Sequence, residues 1–133
     1  DIETFEAIFI DYVMKSSSFF DISGDEIEKV YHSFVLGILV ALNDKYEVKS
    51  NRESGYGRYD IMIIPRDKEK LATIIEFKKV RKNETLEEAA DKALKQIEEK
   101  RYKAELEDME IKSIQEIGIA FEGKKVLVKK IDN

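Results

Sequence analysis

The chain contains no cysteine and no tryptophan, and it has only one proline and one histidine. The absence of cysteine excludes disulfides and thiolate metal sites and suits a reducing compartment. One histidine does not make a typical zinc site by itself. No apolar run reaches the ~18 residues of a membrane span, and the N-terminus lacks the basic-then-apolar layout of a signal peptide. We therefore expect a cytoplasmic protein without a membrane segment.

The composition is that of one compact domain with an acidic charge balance. The chain has 133 residues, of which 43% are hydrophobic and 38% charged. This length favours a single domain with a sizeable core. The formal net charge of −5 argues against a general basic surface for nucleic acid, so a polyanionic partner would need a local basic surface or a bound cation. Because the sequence begins at Asp1 rather than Met, we expect a fragment of a longer protein.

The spacing of apolar residues predicts three helices. The first covers about residues 5–13, and the second covers about residues 23–42. The third opens at Thr85 and Glu88, which have the spacing of a capping box. We expect this third helix to continue to about Leu106.

Five segments have the alternation or short apolar runs that are typical of strands. They are Tyr46–Lys49, Arg58–Ile64, Ala72–Lys78, Ile114–Glu122 and Lys125–Ile131. With the helices, the element order is ααβββαββ. This order predicts a mixed α/β (α+β) fold, in which a mixed central sheet of about five strands is flanked by helices.

The second and third strands are predicted to place two carboxylates side by side. A short loop centred near Lys68 gives a hairpin in which Asp60 lies opposite Glu76, and Lys78 shares their face. Two facing carboxylates repel, and a divalent cation such as Mg²⁺ would remove the conflict. A neighbouring lysine can steer a water and stabilise developing phosphorane charge, as phosphodiester hydrolysis requires. The alternative is that these residues are ordinary solvent-facing members of an amphipathic strand.

The order of motifs resembles the PD-(D/E)XK nuclease superfamily, whose hallmark is an Asp followed at a distance by (Asp/Glu)-x-Lys. Asp60 and the triplet Glu76-Phe77-Lys78 fit this hallmark, sixteen residues apart. Further matching segments occur in order, namely Glu28-x-x-Tyr31-His32, residues 50–60, residues 93–97 and Tyr102. The likeness covers roughly residues 26–131. It is similar to the type of domain found C-terminal to an AAA-ATPase-like domain in bacterial proteins.

The resemblance implies a restriction-endonuclease-like core over residues 23–133, preceded by a helix and linker over residues 1–22. It also implies a metal-dependent nuclease that acts on DNA or RNA with Mg²⁺ or Mn²⁺, and an upstream AAA-ATPase-like domain as partner. The implied site consists of the ligands Asp60, Glu76 and Glu28, the catalytic Lys78 and a supporting Gln96. Glu28 and Gln96 are alternatively exposed helix residues. A catalytically silent regulatory module is the alternative function.

Four further residues have two interpretations each. His32 is either a general base or metal-site residue, or a hydrogen-bonded helix histidine. Tyr102 is either an accessory site residue or part of the core. Arg52 and Arg58 flank a glycine-containing turn, where they either contact phosphates or pair with neighbouring acids.

Overall fold

The computed structural model describes residues 43–53, 58–122 and 125–132, together with two isolated helical positions, Ala7 and Gly37. Apart from those two positions, the predicted helices at about 5–13 and 23–42 lie outside the described residues. In the described part of the chain, every helix is too short or too polar to cross a bilayer.

A five-stranded mixed sheet forms the centre of the fold. A short 3₁₀-helix precedes it at Asn43–Lys45. The strands lie side by side in chain order, and all neighbouring pairs are antiparallel except β3 and β4, which are parallel. Their bounds are β1 Tyr46–Glu53, β2 Arg58–Pro65, β3 Ala72–Lys79, β4 Ile114–Glu122 and β5 Lys125–Asp132. The predicted five-stranded mixed sheet is confirmed, although β1 extends four residues beyond the predicted Lys49.

Two helices connect the parallel strands. Helix α1 spans Leu86–Glu99 and helix α2 spans Tyr102–Asp108. The predicted capping box is confirmed, because the Thr85 side chain accepts from the Glu88 backbone N–H and the Glu88 side chain accepts from the Thr85 N–H.

The prediction of one continuous helix as far as Leu106 is wrong. Helix α1 ends at its C-cap Lys100, and the next residue, Arg101, adopts a left-handed conformation with φ 59°. A non-glycine residue rarely adopts this conformation, so the amino-acid type gives no signal for the break. The break changes the direction of the chain between Lys100 and Tyr102, whose side chains both contact Asp60 of β2.

One face of the sheet packs against α1 and α2. Near the turn between β2 and β3, this face is an apolar cluster that includes Met62, Ile74, Ile97 and Leu106, all buried. Further along the sheet, Gly118 of β4 lies directly under α1. A Cβ at this position would stand 2.7 Å from the carbonyl oxygen of Ala90. Glycine is therefore required for the close approach of helix and strand.

The opposite face of the same strands is also buried. Its side chains include Ile61, Ile75, Phe77 and Phe121, and the rings of Phe77 and Phe121 stack with centroids 6.3 Å apart. Strands that are buried on both faces have near-continuous apolar sequences rather than alternating ones. Polar residues inside such strands therefore stand out, and Asp60 and Glu76 are two of them.

Candidate active site

The hairpin of β2 and β3 brings two carboxylates together. Asp60 pairs directly with Glu76, which confirms the predicted register. Directly opposed residues point to the same face, with Cβ atoms about 4.5–5.5 Å apart. Both residues are buried, with Asp60 4% and Glu76 1% exposed. Burying two like charges so close together requires a compensating cation or a protonated carboxyl.

The compensating cation is Lys100, which the sequence analysis did not identify. Its Nζ donates to Asp60 Oδ2 at 2.7 Å and lies 3.6 Å from Glu76 Oε1. Burial alone would lower the pKa of Lys100, but the hydrogen bond to Asp60 and the charge of Glu76 outweigh burial and raise it. The ammonium group therefore stays charged and forms ion pairs with both carboxylates.

Tyr102 completes the surroundings of Asp60. Its hydroxyl donates to Asp60 Oδ1 at 3.0 Å, and its ring lies 5.9 Å from the Lys100 ammonium. Burial and the neighbouring Asp60 charge raise the pKa of Tyr102 to about 12, so the hydroxyl remains a donor. The ring also packs against the apolar cluster. The structure thus gives Tyr102 both a core contact and a direct contact with the site.

Lys78 lies on the same face as Glu76, two residues further along β3, as predicted. Its ammonium group forms an ion pair with Glu84, with Nζ and Oε2 3.4 Å apart. Burial lowers the pKa of Lys78, and the Glu84 charge offsets only part of this effect. A lysine with a lowered pKa transfers a proton more readily than an exposed one.

Glu84 is a second residue that the sequence analysis missed. Its side chain is 4% exposed, and it accepts hydrogen bonds from Lys78, from Lys92 and from the Arg81 backbone N–H. Burial alone would raise the pKa of Glu84, but these three donors outweigh burial and lower it to about 2. An ionised carboxylate therefore fixes two ammonium groups near the site.

A cavity of about 250 Å³ opens between β3 and α1 beside the carboxylates. Three of the predicted residues line it, namely Glu76, Lys78 and Gln96. Because Gln96 and Lys100 are four residues apart at the end of α1, they project from the same side of the helix. This i, i+4 relation to Gln96 is the sequence signal by which Lys100 could have been found.

The structure does not describe the side chains of four predicted site residues. Glu28 and His32 lie outside the described residues. Arg52 and Arg58 lie on β1 and β2, where their backbones pair with Tyr59 and Lys78, but their side chains are outside the described part of the structure. Their assigned roles therefore stay predictions.

The described residues fit a divalent cation that takes oxygen ligands. Asp60 and Glu76 supply two carboxylates on one face, and Mg²⁺ typically uses one or two carboxylates together with water or phosphate oxygens. Within residues 43–53, 58–122 and 125–132, no group of three or more metal-ligating side chains comes together. A third protein ligand would have to come from elsewhere, and Glu28 is the predicted one.

Comparison with known proteins agrees with this geometry. Searches of curated proteins and of solved structures give no significant match. A family model, described as PD-(D/E)XK nuclease superfamily, matches residues 26–131. This span is well over half of the chain, and it contains every residue of the site described above. The chain therefore belongs to the PD-(D/E)XK nuclease superfamily.

Proposed function

We propose that this domain is a divalent-metal-dependent nuclease that hydrolyses phosphodiester bonds of DNA or RNA. The observation that carries the proposal is the buried pairing of Asp60 with Glu76 on one sheet face, with Lys78 next along the same strand. Enzymes of this superfamily are generally dependent on a divalent metal, and a nuclease fold favours a nucleic-acid substrate. The proposed ion is Mg²⁺ or Mn²⁺.

Each side chain has a distinct role in the proposed reaction. Asp60 and Glu76 would hold the ion, which supplies Lewis-acid stabilisation of phosphoryl charge when bound. Lys78 Nζ lies beside the cavity, where it orients the attacking water, takes up or returns its proton and stabilises charge on the phosphoryl oxygens. Tyr102 keeps Asp60 oriented through its hydroxyl. Gln96 lines the cavity, where its amide can position the water or the phosphate.

A catalytically silent regulatory module, attached to an AAA-ATPase-like domain, is the second candidate. The contact of Lys100 with both carboxylates favours it, since an ammonium group already offsets one of the two negative charges that a metal ion would otherwise compensate. The two functions differ in whether the carboxylates bind a metal ion in exchange for this contact.

Cleavage assays on single-stranded and double-stranded DNA and RNA, with Mg²⁺ or Mn²⁺, test the nuclease proposal. We expect Asp60→Asn to reduce cleavage by more than about 100-fold, because a neutral amide is a poor ligand for the ion. Lys78→Met should reduce it by about 100-fold or more through loss of proton transfer. Lys68→Met changes an exposed lysine in the turn between β2 and β3 and is the matched control.

A second measurement keeps the test independent of turnover. Mn²⁺ should raise the melting temperature of the wild-type chain by mass action, and Asp60→Asn should remove this rise. Equal cleavage by all variants would assign the activity to a contaminant and refute the proposal. A wild-type chain with neither cleavage nor a Mn²⁺-dependent rise would favour the silent module.

A further inference from the structure

The cavity beside Glu76 carries a charge opposite to that of the whole chain. Four cationic side chains line it, Lys78, Arg81, Lys92 and Lys95, against two acidic ones, Glu76 and Glu99. The complete chain, in contrast, has a net charge of −5. A concave site with locally positive potential concentrates anions even on an acidic protein.

The fold brings the four cations to one cavity and holds two of them, Lys78 and Lys92, by ion pairs. Lys95 and Gln96 lie three and four residues after Lys92 on α1, so both are its neighbours on the helix surface. Lys78 comes from the end of β3, and Arg81 from the segment that joins β3 to α1. Because the buried Glu84 carboxylate accepts from both Lys78 and Lys92, it fixes two ammonium groups with a single negative charge. Each ammonium has three donors, so both retain donors for a further anion.

The size of the cavity limits its occupant. A volume of about 250 Å³ lies below the range of about 300–1,000 Å³ that is usual for pockets enclosing a small-molecule ligand. Such a space admits phosphate groups of a polymer, with the rest of the polymer lying outside it. The exposed position of Lys92, whose side chain is 58% accessible, is consistent with a ligand that passes across the mouth.

We infer that the part of this cavity lined by Arg81, Lys92 and Lys95 binds a backbone phosphate of a polynucleotide, next to the phosphate that is cut at the Glu76 and Lys78 side. Arg81, Lys92 and Lys95 are the anchoring side chains, whereas Lys78 serves the reacting phosphate. The inference rests on the proposed function for the identity of its ligand. The inference adds a contact surface for the polynucleotide, formed by one face of α1 and the segment before it. The nucleic-acid strand would continue along this surface past the carboxylates.

The test is equilibrium binding of fluorescent single-stranded and double-stranded oligonucleotides to the full chain in EDTA, at several salt concentrations. The double variant Lys92→Gln/Lys95→Gln is compared with Lys68→Gln/Lys70→Gln, which removes the same charge at the opposite end of the β2–β3 hairpin. We expect the cavity variant to bind about tenfold more weakly. Its slope of log affinity against log salt should fall by up to about 1, because each neutralised phosphate contributes roughly 0.7–0.9 to the slope and both lysines contact the same phosphate.

A single variant guards against loss of structure. Lys95→Gln leaves the contact between Lys92 and Glu84 intact, and we expect it to lower the slope by less than the double variant does, with an unchanged melting temperature. Equal weakening by the cavity variant and the control variant would overturn the site, as would an unchanged salt slope. Inorganic phosphate is the second probe. If it competes at the same concentration as the oligonucleotide phosphates, the cavity is a site for free phosphate, and the inference fails.

Failure of this inference is distinguishable from failure of the proposed function. If the cavity variant cleaves and binds like the wild-type chain, the phosphate site is wrong and the nuclease proposal stands. If the wild-type chain binds oligonucleotides through the cavity but Mg²⁺ and Mn²⁺ produce no cleavage, the site stands and the nuclease proposal fails.

Discussion

The two ends of the β2–β3 hairpin differ in chemistry although they share one face and one register. Near the turn, Met62 pairs with Ile74 in the apolar cluster under α1 and α2. Two residues away along each strand, Asp60 pairs with Glu76. Exposure does not distinguish the two pairs, since all four residues are 4% exposed or less. The two pairs therefore occupy equivalent backbone positions. They differ only in their side chains, which are apolar near the turn and charged at the other end.

The energetic consequences of the two ends are opposite. Each apolar side chain at the turn end stabilises the fold by leaving water, by about 1.5–3 kcal/mol when it is fully buried. At the other end, desolvation and mutual repulsion of two carboxylates oppose folding, and Lys100 offsets this only through close contacts. Well-packed apolar residues of similar volume are often as stable as a buried ion cluster, or more so. The ionic end is therefore better explained by function than by stability.

The largest expected effect lies at the apolar end. Ile74 is completely buried, and Ile74→Ala should lower the free energy of unfolding by about 4 kcal/mol through lost burial and the cavity that it leaves. The change should be measured by urea unfolding in EDTA. Ile131→Ala is the matched control, since Ile131 is 42% exposed, and it should change the free energy by less than about 0.5 kcal/mol. Similar effects of the two variants would contradict the assignment of the core.

At the ionic end, Lys100→Met should lower the free energy of unfolding by about 3 kcal/mol in EDTA. Removal of one partner from a largely buried ion cluster leaves the remaining charges uncompensated, and the Lys100 side chain is only 16% exposed. Mn²⁺ should stabilise this variant more than the wild-type chain, because the ammonium group no longer contacts the same carboxylates. Lys112→Met, at an exposed position, should change neither quantity. If Lys100→Met is as stable as the wild-type chain in EDTA, Lys100 is not the compensating charge.

The smallest expected effect concerns Glu84 and is visible as a pH dependence. Its pKa is lowered from 4.5 to about 2 in the folded chain. The stabilisation is therefore fully present above about pH 4.5 and is lost as the pH falls towards 2. Glu84→Gln should lower the free energy of unfolding by about 2 kcal/mol at pH 7, and this difference should shrink between pH 4.5 and pH 2. Urea unfolding at several pH values measures it, and a constant difference would contradict the ionised state of Glu84.

The sequence was sufficient to predict the hairpin and its carboxylate pair. Loop length sets the register, and the alternation of side chains then determines the shared face of Asp60 and Glu76. The capping box at Thr85 and the bounds of β4 were predicted for the same kind of local reason.

The contacts between distant segments could not be obtained in this way. Lys100 reaches Asp60 across 40 residues. Its spacing from Gln96 indicates its side of the helix, but no residue type signals the left-handed Arg101 that follows α1. Glu84 contacts lysines only six and eight residues away, Lys78 and Lys92, but its sequence resembles that of any acidic residue before a helix, because the packing of α1 on β3 is what buries it. Local patterns thus predict the pairing of Asp60 with Glu76, whereas tertiary packing determines which cations contact them.

The parallel pairing of β3 with β4 has a consequence for how the chain folds. Antiparallel strands joined by a short turn close at small entropic loss, whereas a parallel pair must wait for its crossover segment. The hairpin therefore brings the two acids together over a short loop, whereas Lys100, in the crossover, reaches Asp60 across 40 residues. We therefore expect the folding rate to depend on ionic strength and on dissolved cations, because the repulsion between the two acids is offset by Lys100 only once the crossover has docked.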